Sequence, residues 1–167
     1  LGASSVNKSV REALPKLLER FQIVHVCGKE KVDNLLLTTK GYKQFEYVTD
    51  DLKHLFALAD IVVSRAGANA ICELLSLHKP NLLIPLPTKG SRGDQLLNAA
   101  SFAAQGFSMV LKEEELTKES LTNAIQELYC NRQTYLEAMN RSGQMNPILT
   151  IVGLLEKYRK TEKKKEA

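Results

Sequence analysis

A run of small residues with one arginine stands where the chain passes from an apolar segment into an amphipathic one. Residues 64–69 read SRAGAN, and the apolar segment that leads into them is DIVVS. Small residues at such a turn let a ligand approach the backbone, and the free N–H groups and dipole of the following helix favour a phosphate. A glycine at a strand-to-helix turn is also common for packing reasons, so this motif alone leaves both interpretations open.

Glu73 lies one turn into the helix that is predicted to follow this motif. It shares a face with Asn69 and Ser76 at helical spacing. A carboxylate at this position can accept hydrogen bonds from both hydroxyls of a ribose. A solvated surface glutamate is the alternative. The opposite face of the same helix carries the apolar stripe Ala70, Ile71, Leu74 and Leu77.

A second polar loop, residues 86–95 with the sequence LPTKGSRGDQ, follows another apolar segment. Its charged and amide side chains, which include that of Gln95, suit a ligand rich in hydroxyl groups. Asp94 could instead be the N-cap of the next helix, and Asn98, one turn further on, could be an ordinary surface residue.

Two further segments have the features of ligand-binding turns. At residues 47–49, exposed backbone groups after a strand could pair with a planar base, while Asp50 or Asp51 would cap the helix that follows. The chain opens with LGASSVN, which reads as a glycine turn leading into a helix capped by Ser4 or Ser5. No strand precedes this turn in the sequence, so we expect the chain to begin within a motif.

No residues in the chain form a nucleophile–base pair by their spacing. His25 lies in a predicted strand, His54 on a short helix and His78 at a helix end, and each has a structural explanation. The sequence contains no HExxH, GxSxG, Walker or complete GxGxxG pattern. We therefore predict no catalytic residue, no metal and no cofactor in this chain.

Short apolar runs alternate with amphipathic segments along the whole chain. This alternation predicts an α/β fold, a Rossmann-like parallel sheet with helices on both faces. In such sheets ligands bind at the carboxyl ends of the strands, which is where the polar loops stand. The predicted strands are 22–27, 43–48, 60–64, 80–85 and 107–111, and the predicted helices lie near 5–20, 29–39, 51–58, 68–78, 94–105, 117–129, 132–142 and 147–160.

The composition is that of one ordinary globular domain. Of 167 residues, 44% are hydrophobic and 25% charged, and no apolar run reaches the ~18 residues of a membrane span. The start of the chain lacks the pattern of a secretory signal. The three widely spaced cysteines (Cys27, Cys72 and Cys130) are interpreted as small buried hydrophobic residues in a reducing compartment.

The net charge of +4 is concentrated at one end. Residues 157–167 hold six lysines and arginines against two glutamates, so the remainder of the chain is neutral. This end is either a solvated helix terminus with a frayed tail or a weak attachment to an anionic membrane surface. A sequence without tryptophan, and without a basic face interleaved with aromatic residues, does not indicate nucleic-acid binding.

Taken together, these segments resemble the MurG family of glycosyltransferases. LGASSVN resembles the end of the family's GGSxGAxxxN turn, HVCGK its H-x-[ST]-G-K strand end, and RGDQLLNA its D/R-x-Q-x-x-N-A segment. Residues 45–87 resemble the family's uridine-binding core. The resemblance implies a GT-B fold of which this chain is the C-terminal half. It also implies an inverting transfer of N-acetylglucosamine from UDP to a lipid-linked muramyl-pentapeptide, the step of peptidoglycan synthesis that makes lipid II from lipid I.

The resemblance implies roles for individual residues. Val48 would offer its backbone to the uracil, Glu73 would hold the ribose hydroxyls, and Gln95 and Asn98 would bond sugar hydroxyls. The phosphate turn would include Gly2 and Ala3. The stretch Ala68, Asn69 and Ala70 would lie against the pyrophosphate and sugar, and Gly67, Ile71 and Cys72 complete the predicted substrate-binding set.

The sequence departs from the family pattern at three places. Asp94 stands where many members have glutamine, which leaves one sugar contact open, and Cys27 stands where many have serine or threonine. The GGS that would precede Leu1 is absent. We therefore expect residues 1–160 to be a UDP-sugar-binding C-terminal domain without its first strand and its N-terminal acceptor domain, followed by a charged tail at 161–167.

The resemblance implies UDP-N-acetylglucosamine as ligand, a lipid-linked acceptor bound through the missing N-terminal domain, and a peripheral location at the cytoplasmic face of the cell membrane. Three other functions are alternatives to this one. A non-catalytic subunit could bind the donor and recruit a membrane-bound partner. A UDP-sugar epimerase would need acid–base groups at the sugar, which the chain does not show. A dinucleotide oxidoreductase would need the missing GxGxxG.

Overall fold

The computed structural model describes residues 3–88 and 93–142, together with residues 152, 155 and 156. Within these residues strands and helices alternate along most of the chain, as the sequence predicts. The strands are β1 (Ile23–Val26), β2 (Tyr42–Phe45), β3 (Val62–Ser64), β4 (Asn81–Leu83) and β5 (Ser108–Val110). The helices are α1 (Ser4–Leu17), α2 (Leu52–Leu58), α3 (Ala68–Ser76), α4 (Asp94–Ala104), α5 (Lys118–Cys130) and α6 (Arg132–Ser142).

All of the described strand pairs are parallel. β1 pairs with β2, with Ile23 opposite Tyr42, and β4 lies between β3 and β5, with Asn81 opposite both Val62 and Ser108. The sequence predicted one sheet, but among the described residues the hydrogen-bonded ladders form two, of two and three strands. Their parallel direction places the carboxyl ends of β3, β4 and β5 at one edge, as the predicted fold requires.

The three-stranded sheet is covered by helices on both faces. Neighbouring residues of β4 point to opposite sides, since Leu82 packs with helices α1 and α5 whereas Leu83 packs with α3. All three of Leu82, Leu83 and Ile84 are fully buried. A strand buried on both faces reads as a continuous apolar run, which is why the sequence of this segment shows no alternation.

The larger core cluster joins α1 to α5 beneath the sheet. Leu14 and Leu17 of α1 and Leu121 and Leu128 of α5 are each 3% exposed or less. Burial of one such leucine stabilises the fold by about 1.5–3 kcal/mol. This packing fixes the axis of α1, and therefore the position of its first turn at the carboxyl edge of the sheet.

The predicted helix at 29–39 is wrong. This segment is a loop with a single 3₁₀ turn at Asn34–Leu36, capped by the Asp33 side chain. Gly28 and Glu30 both have positive φ, at 92° and 58°, and a right-handed helix does not continue through such residues. The amide of Gln44 also hydrogen-bonds the backbone of Asp33 as both donor and acceptor, which replaces the bonds a helix would make.

The helix starts also differ from the predicted caps. Ala3, not Ser4 or Ser5, is the N-cap of α1, because the helix already includes both serines. Asp51 occupies the N-cap position of α2 without a capping hydrogen bond from its side chain. Asp94 is the first residue of α4 and Gly93 is its N-cap. The predicted helix at 147–160 lies outside the described residues apart from residues 152, 155 and 156.

Candidate functional site

Three helices begin at the carboxyl edge of the sheet with small residues at their N-caps. These residues are Ala3 for α1, Gly67 for α3 and Gly93 for α4, and none of them makes a side-chain capping bond in the described part of the chain. At α5, by contrast, Thr117 and Ser120 form a complete capping box. First-turn N–H groups without a side-chain partner, at the positive end of the helix dipole, are suited to an anionic ligand.

Gly67 is a glycine that packing among the described residues does not require. Its φ of −67° is open to any residue, and no heavy atom of the described residues lies within 4 Å of where its Cβ would be. Among the described residues, packing therefore does not account for this glycine, although it was one of the two explanations that the sequence left open. The close approach of a ligand to the backbone at the start of α3 stays a prediction.

The helix α4 is fastened to the ends of β3 and β4 by two amide side chains. Asn98 Nδ2 donates to the carbonyl of Ala66 at 3.0 Å, and Gln95 Oε1 accepts from the backbone N–H of Leu86 at 3.1 Å. Asn98 and Gln95 are predicted to bond sugar hydroxyls, and the structure shows that each also makes a contact within the fold. Within the described residues Gln95 Nε2 and Asn98 Oδ1 make no hydrogen bond, so each amide keeps a group for a ligand.

An ion pair and several hydrogen bonds connect the start of α1 to the same edge of the sheet. Arg65, directly after β3, forms an ion pair with Glu113 at 2.5 Å and donates to the carbonyls of Ile84 and Pro85 at 3.0 and 3.4 Å. Ser5, in the first turn of α1, donates to the other oxygen of Glu113 at 2.5 Å and accepts from Arg65 at 3.3 Å. The hydrogen bond from Arg65 holds the pKa of Glu113 below its usual value.

The predicted ligand face of α3 is open to solvent. Asn69, Cys72 and Glu73 are exposed, as is Ala68, while Gly67 and Ala70 are half-buried. Ile71 is only 4% exposed and packs in the core, and its N–H donates to the carbonyl of Gly67. Its side chain therefore supports the helix from below. The apolar stripe is narrower than predicted, because Leu77 at its end is 44% exposed.

Val48 stands apart from this group. It lies three residues beyond the end of β2, half-buried, beside the exposed Tyr47. Its backbone makes no hydrogen bond within the described part of the chain, and no hydrogen bond or ion pair there joins it to the residues around α3 and α4. Of the predicted phosphate turn, Ala3 is the N-cap of α1, whereas Gly2 lies outside the described residues.

The histidine in β1 belongs to a polar network inside the fold. His25 Nδ1 lies 2.8 Å from the hydroxyl of Tyr42, and Nε2 lies 3.0 Å from Asn7 Oδ1. Burial, and secondarily the charge of Arg11, lower the pKa of His25 to about 4. Asn7 also donates to the carbonyl of Cys27 at 2.8 Å. These contacts support the structural interpretation of His25, and they show that the asparagine of LGASSVN joins α1 to β1.

The cysteines divide between the interior and the surface. Cys27 is fully buried, as expected, but Cys72 and Cys130 are exposed, so the prediction is wrong for those two. Both lie on helices whose buried stripe falls on other residues.

A groove of about 640 Å³ lies between α1 and the loop after β1. Its lining includes Lys8, Arg11 and Lys31 together with Glu12 and Glu30, so charges of both signs face it. None of the predicted site residues lines this groove. The groove borders the start of α1, because Ser4 and Asn7 line it, but no residue of α3 or α4 does.

The described residues contain neither a metal-type cluster nor a membrane-spanning helix. No cluster of three or more His, Cys, Asp or Glu side chains has the spacing to hold a metal ion. No described helix has the length and apolar character needed to cross a membrane.

The sequence of residues 1–152 matches the family model of the glycosyltransferase family 28 C-terminal domain. The chain belongs to this family. The fold prediction, a parallel α/β domain equivalent to the C-terminal half of a GT-B glycosyltransferase, is confirmed by the same match and by the solved structures below.

Curated relatives of this family 28 domain share more than half of its residues. Proteins from Lachnoclostridium phytofermentans and Clostridium novyi are 56% and 52% identical over 158 and 160 residues, or 95% and 96% of this chain. Each is named a UDP-N-acetylglucosamine--N-acetylmuramyl-(pentapeptide) pyrophosphoryl-undecaprenol N-acetylglucosamine transferase. The matched region is 44% and 45% of those proteins, so the family 28 domain spans less than half of their length.

Solved structures give the same picture of the family 28 domain. The crystal structure of Acinetobacter baumannii MurG matches 94% of this chain and 47% of its own, with a TM-score of 0.74 and 25% identity. The calicheamicin glycosyltransferase CalG4 matches 81% of this chain with a TM-score of 0.65, and at 15% identity it shows the fold alone.

Proposed function

We propose that this chain is the donor-binding half of an enzyme that transfers N-acetylglucosamine from UDP to N-acetylmuramyl-(pentapeptide) pyrophosphoryl-undecaprenol. The curated relatives that bear this activity in their names are 51–56% identical over more than nine tenths of the chain. The chain spans less than half of those relatives, and its match to a C-terminal domain model supports the proposal that it is one of two halves, the one that binds the donor.

The observation that carries this proposal is the meeting of three helix starts at one edge of the sheet. α1, α3 and α4 each present a first turn without a side-chain cap, and two fastenings hold these turns together: Arg65 with Ser5, and Asn98 with Ala66. A diphosphate carries negative charge on both phosphates, and two of these adjacent helix N-termini, those of α1 and α3, offer it positive dipole ends.

The sugar nucleotide is then bound in parts. The diphosphate lies against the first turns of α1 and α3, where Ala3 and Gly67 allow close approach. The ribose hydroxyls bond Glu73, which is exposed one turn into α3. The uracil pairs with the backbone of Val48, and the N-acetylglucosamine bonds the amide groups of Gln95 and Asn98 that the fold leaves available. Asn69, Ala70 and Cys72 complete the wall beside the sugar.

The reaction is an inverting displacement at the anomeric carbon. The bond from that carbon to the β-phosphate oxygen breaks, the bond to the acceptor hydroxyl oxygen forms, and UDP departs with increased negative charge. The helix N–H groups stabilise this charge as it develops, which is the contribution of this half to catalysis. The proton of the acceptor hydroxyl passes to a base outside this chain.

The acceptor is bound by another part of the enzyme, and this chain contributes only weakly to contact with the membrane surface. The acceptor is bound by the part of the relatives that this chain does not match, so that the two substrates meet between two domains. Residues 1–160 form the donor domain, and the lysine-rich tail at 161–167 and the basic residues just before it add weak attraction to anionic lipid. The enzyme then works at the cytoplasmic face of the membrane as a peripheral protein.

Isothermal titration of the chain with UDP-N-acetylglucosamine, UDP-glucose and UDP tests the donor assignment. We expect all three to bind, UDP-N-acetylglucosamine most tightly, because only it fills the sites for nucleotide and acetylated sugar. GDP is the control ligand and should bind at least about 10-fold more weakly than UDP, since one missed set of base contacts is worth about 1.4 kcal/mol. Absence of UDP binding would contradict the donor assignment.

A radiolabelled transfer assay tests the division of labour. The chain alone should bind the donor but transfer no measurable sugar to the lipid-linked acceptor, because a general base typically contributes about 10²–10⁴ in rate and positioning of the acceptor often more. Addition of the N-terminal half of a relative, in trans or fused, should restore turnover. Transfer by the isolated chain would show that it contains a catalytic group of its own.

A further inference from the structure

Arg65 has no role in the donor contacts proposed above, although it stands beside them. Its side chain is 21% exposed, and its guanidinium contacts segments that follow β4 and β5 and the first turn of α1. It reaches four acceptors: Glu113 Oε2, the carbonyls of Ile84 and Pro85, and the hydroxyl of Ser5. Arg65, which follows β3, is therefore bonded to three other segments of the fold: the end of β4, the segment after β5 and the first turn of α1.

The charge of Arg65 is already neutralised within the fold. The carboxylate of Glu113 lies 2.5 Å from Arg65 Nη1, and the two side chains are both about four-fifths buried. An arginine paired in this way adds no net charge to a phosphate site. Its planar, forked guanidinium is nevertheless suited to fixing several acceptors in one arrangement. The contribution of Arg65 to ligand binding is therefore geometric.

The element that Arg65 fixes is the first turn of α1. Ser5 is the second residue of this helix, after the N-cap Ala3, and its hydroxyl bonds both partners of the ion pair. Asn7, in the same turn, is held by β1 through the carbonyl of Cys27. The Arg65–Glu113 pair supplies the corresponding attachment to the three-stranded sheet, whose edge also carries the start of α3.

We propose that Arg65 is a positioning residue which, through Glu113 and Ser5, holds the first turn of α1 against that of α3 so that both can bind one diphosphate. This inference rests on the proposed function, because it requires that the ligand carry a diphosphate. Misplacement of a binding group by 1 Å can cost about 100-fold in an enzyme-catalysed reaction. The Arg65–Glu113 pair therefore affects the contribution of the diphosphate to the binding affinity but not the contribution of the uridine.

The alternative role, direct contact of Arg65 with a phosphate, predicts the opposite response at Glu113. If Arg65 touched the phosphate, loss of the carboxylate would release its positive charge and strengthen binding. If Arg65 acts by position, Glu113→Gln weakens binding, because the amide keeps only one acceptor oxygen for the two donors, Arg65 and Ser5, and loses the charge that pairs with Arg65. The sign of the effect of Glu113→Gln decides between the two roles.

The experiment compares UDP with uridine as ligands of the 167-residue chain and of its Arg65→Met and Glu113→Gln variants. Titration calorimetry measures UDP, and ligand-observed NMR measures uridine. We expect each variant to raise the Kd for UDP about 10-fold and to change the Kd for uridine less than about 2-fold. The double variant should be no weaker than the weaker single variant, because both changes remove the same attachment. Lys16→Met, which breaks the exposed Lys16–Glu19 ion pair at the far end of α1, is the control.

Several outcomes would overturn the proposal. They are an unchanged Kd for UDP in both variants, tighter UDP binding by Glu113→Gln, and an equal loss of UDP and uridine, which would indicate general disruption. If Arg65→Met does not fold, the isosteric Glu113→Gln variant alone decides. A wild-type chain that binds neither ligand would instead overturn the proposed function and this inference with it, whereas normal wild-type binding with unaffected variants overturns this inference only.

Discussion

The side-chain amide of Asn98 donates a hydrogen bond to the carbonyl oxygen of Ala66, so the second turn of α4 is fixed to the turn that starts α3. The carbonyl is fully buried, since Ala66 is 0% exposed. A buried acceptor that loses its partner costs about 1–3 kcal/mol. Asn98 therefore supports the fold at the same place where it is proposed to bond the donor sugar.

Asn98→Ala should lower both stability and donor affinity. We expect the free energy of unfolding to fall by about 1–3 kcal/mol, measured by urea denaturation. UDP-N-acetylglucosamine should lose more affinity than UDP, because only the former reaches the available Asn98 Oδ1. Ser101→Ala, an exposed change on the same helix, is the control and should alter neither property. A variant that binds both ligands like the wild type would show that Asn98 has only its structural task.

Gly67→Ala should separate ligand binding from stability. The new methyl group meets no described atom within 4 Å and φ is −67°, so stability should stay the same or rise by about 0.4–1 kcal/mol. The same methyl group keeps a diphosphate from approaching the backbone at the start of α3. The Kd for UDP should therefore rise about 10-fold or more, as when a binding group is misplaced. Calorimetry and thermal denaturation of one sample measure both effects.

Gly41→Ala provides the contrast to Gly67→Ala. Gly41 has φ of +81°, where an alanine is strained by about 1–2 kcal/mol. This variant should lose stability and, in its folded form, keep its affinity for UDP. If Gly67→Ala were also destabilising and bound UDP normally, a packing role for Gly67 would be restored.

Glu73→Ala tests the ribose contact. The side chain is exposed, so stability should change by no more than about 0.5 kcal/mol. Binding of UDP should weaken by about 1.5–3 kcal/mol, the usual value of hydrogen bonds to a charged group. A 2′,3′-dideoxyribose analogue of UDP should bind the wild type and the variant equally. Ser76→Ala, one turn further along the same face, is the matched control, and a Glu73→Ala variant with normal UDP affinity would refute the assignment.

Stability should decrease as the pH falls from about 6.5 to about 4. In this range His25 binds a proton in the unfolded chain, where its pKa is near 6.5, but not in the folded protein, where burial lowers its pKa to about 4. The unfolded state thus binds more protons and is favoured by acid. The loss is at most about 3 kcal/mol, and partial exposure of the ring reduces it.

Urea denaturation at a series of pH values measures this dependence. His25→Asn should flatten the curve between pH 6.5 and 5, at the expense of a lower stability at neutral pH. His54→Asn, a change at an exposed histidine, is the control and should keep the slope of the wild type. An unchanged slope in His25→Asn would show that other groups cause the acid sensitivity.

The sequence predicted the elements of the fold well because local pattern determines them. The starts of α3 and α4 at residues 68 and 94 agree with the prediction, and each observed strand lies within one residue of its predicted range. The prediction of a helix at 29–39 was wrong for a reason that cannot be read from the local sequence pattern. Its apolar spacing suits a helix, but Gly28 and Glu30 adopt left-handed conformations and Gln44, from the next strand, binds the loop.

The candidate site was predicted less completely, because side-chain partners come from distant segments. The sequence identified Gln95 and Asn98 but not their bonds to Leu86 and Ala66, which depend on how α4 lies over the sheet. It placed Arg65 in a motif without a role, since Glu113 is 48 residues away. The positions of Gly2 and of the tail, and the ligand contacts of every site residue, stay predictions.

The network around His25 also determines which ring nitrogen bears the proton. Because Asn7 Nδ2 donates to the carbonyl of Cys27, Asn7 Oδ1 must face the ring and can only accept. The neutral imidazole is therefore the Nε2–H tautomer, and Nδ1 accepts from the hydroxyl of Tyr42. Asn7 of α1 thus determines the tautomer of His25 in β1. The ¹⁵N chemical shifts of the His25 ring therefore report whether α1 and β1 are correctly packed together.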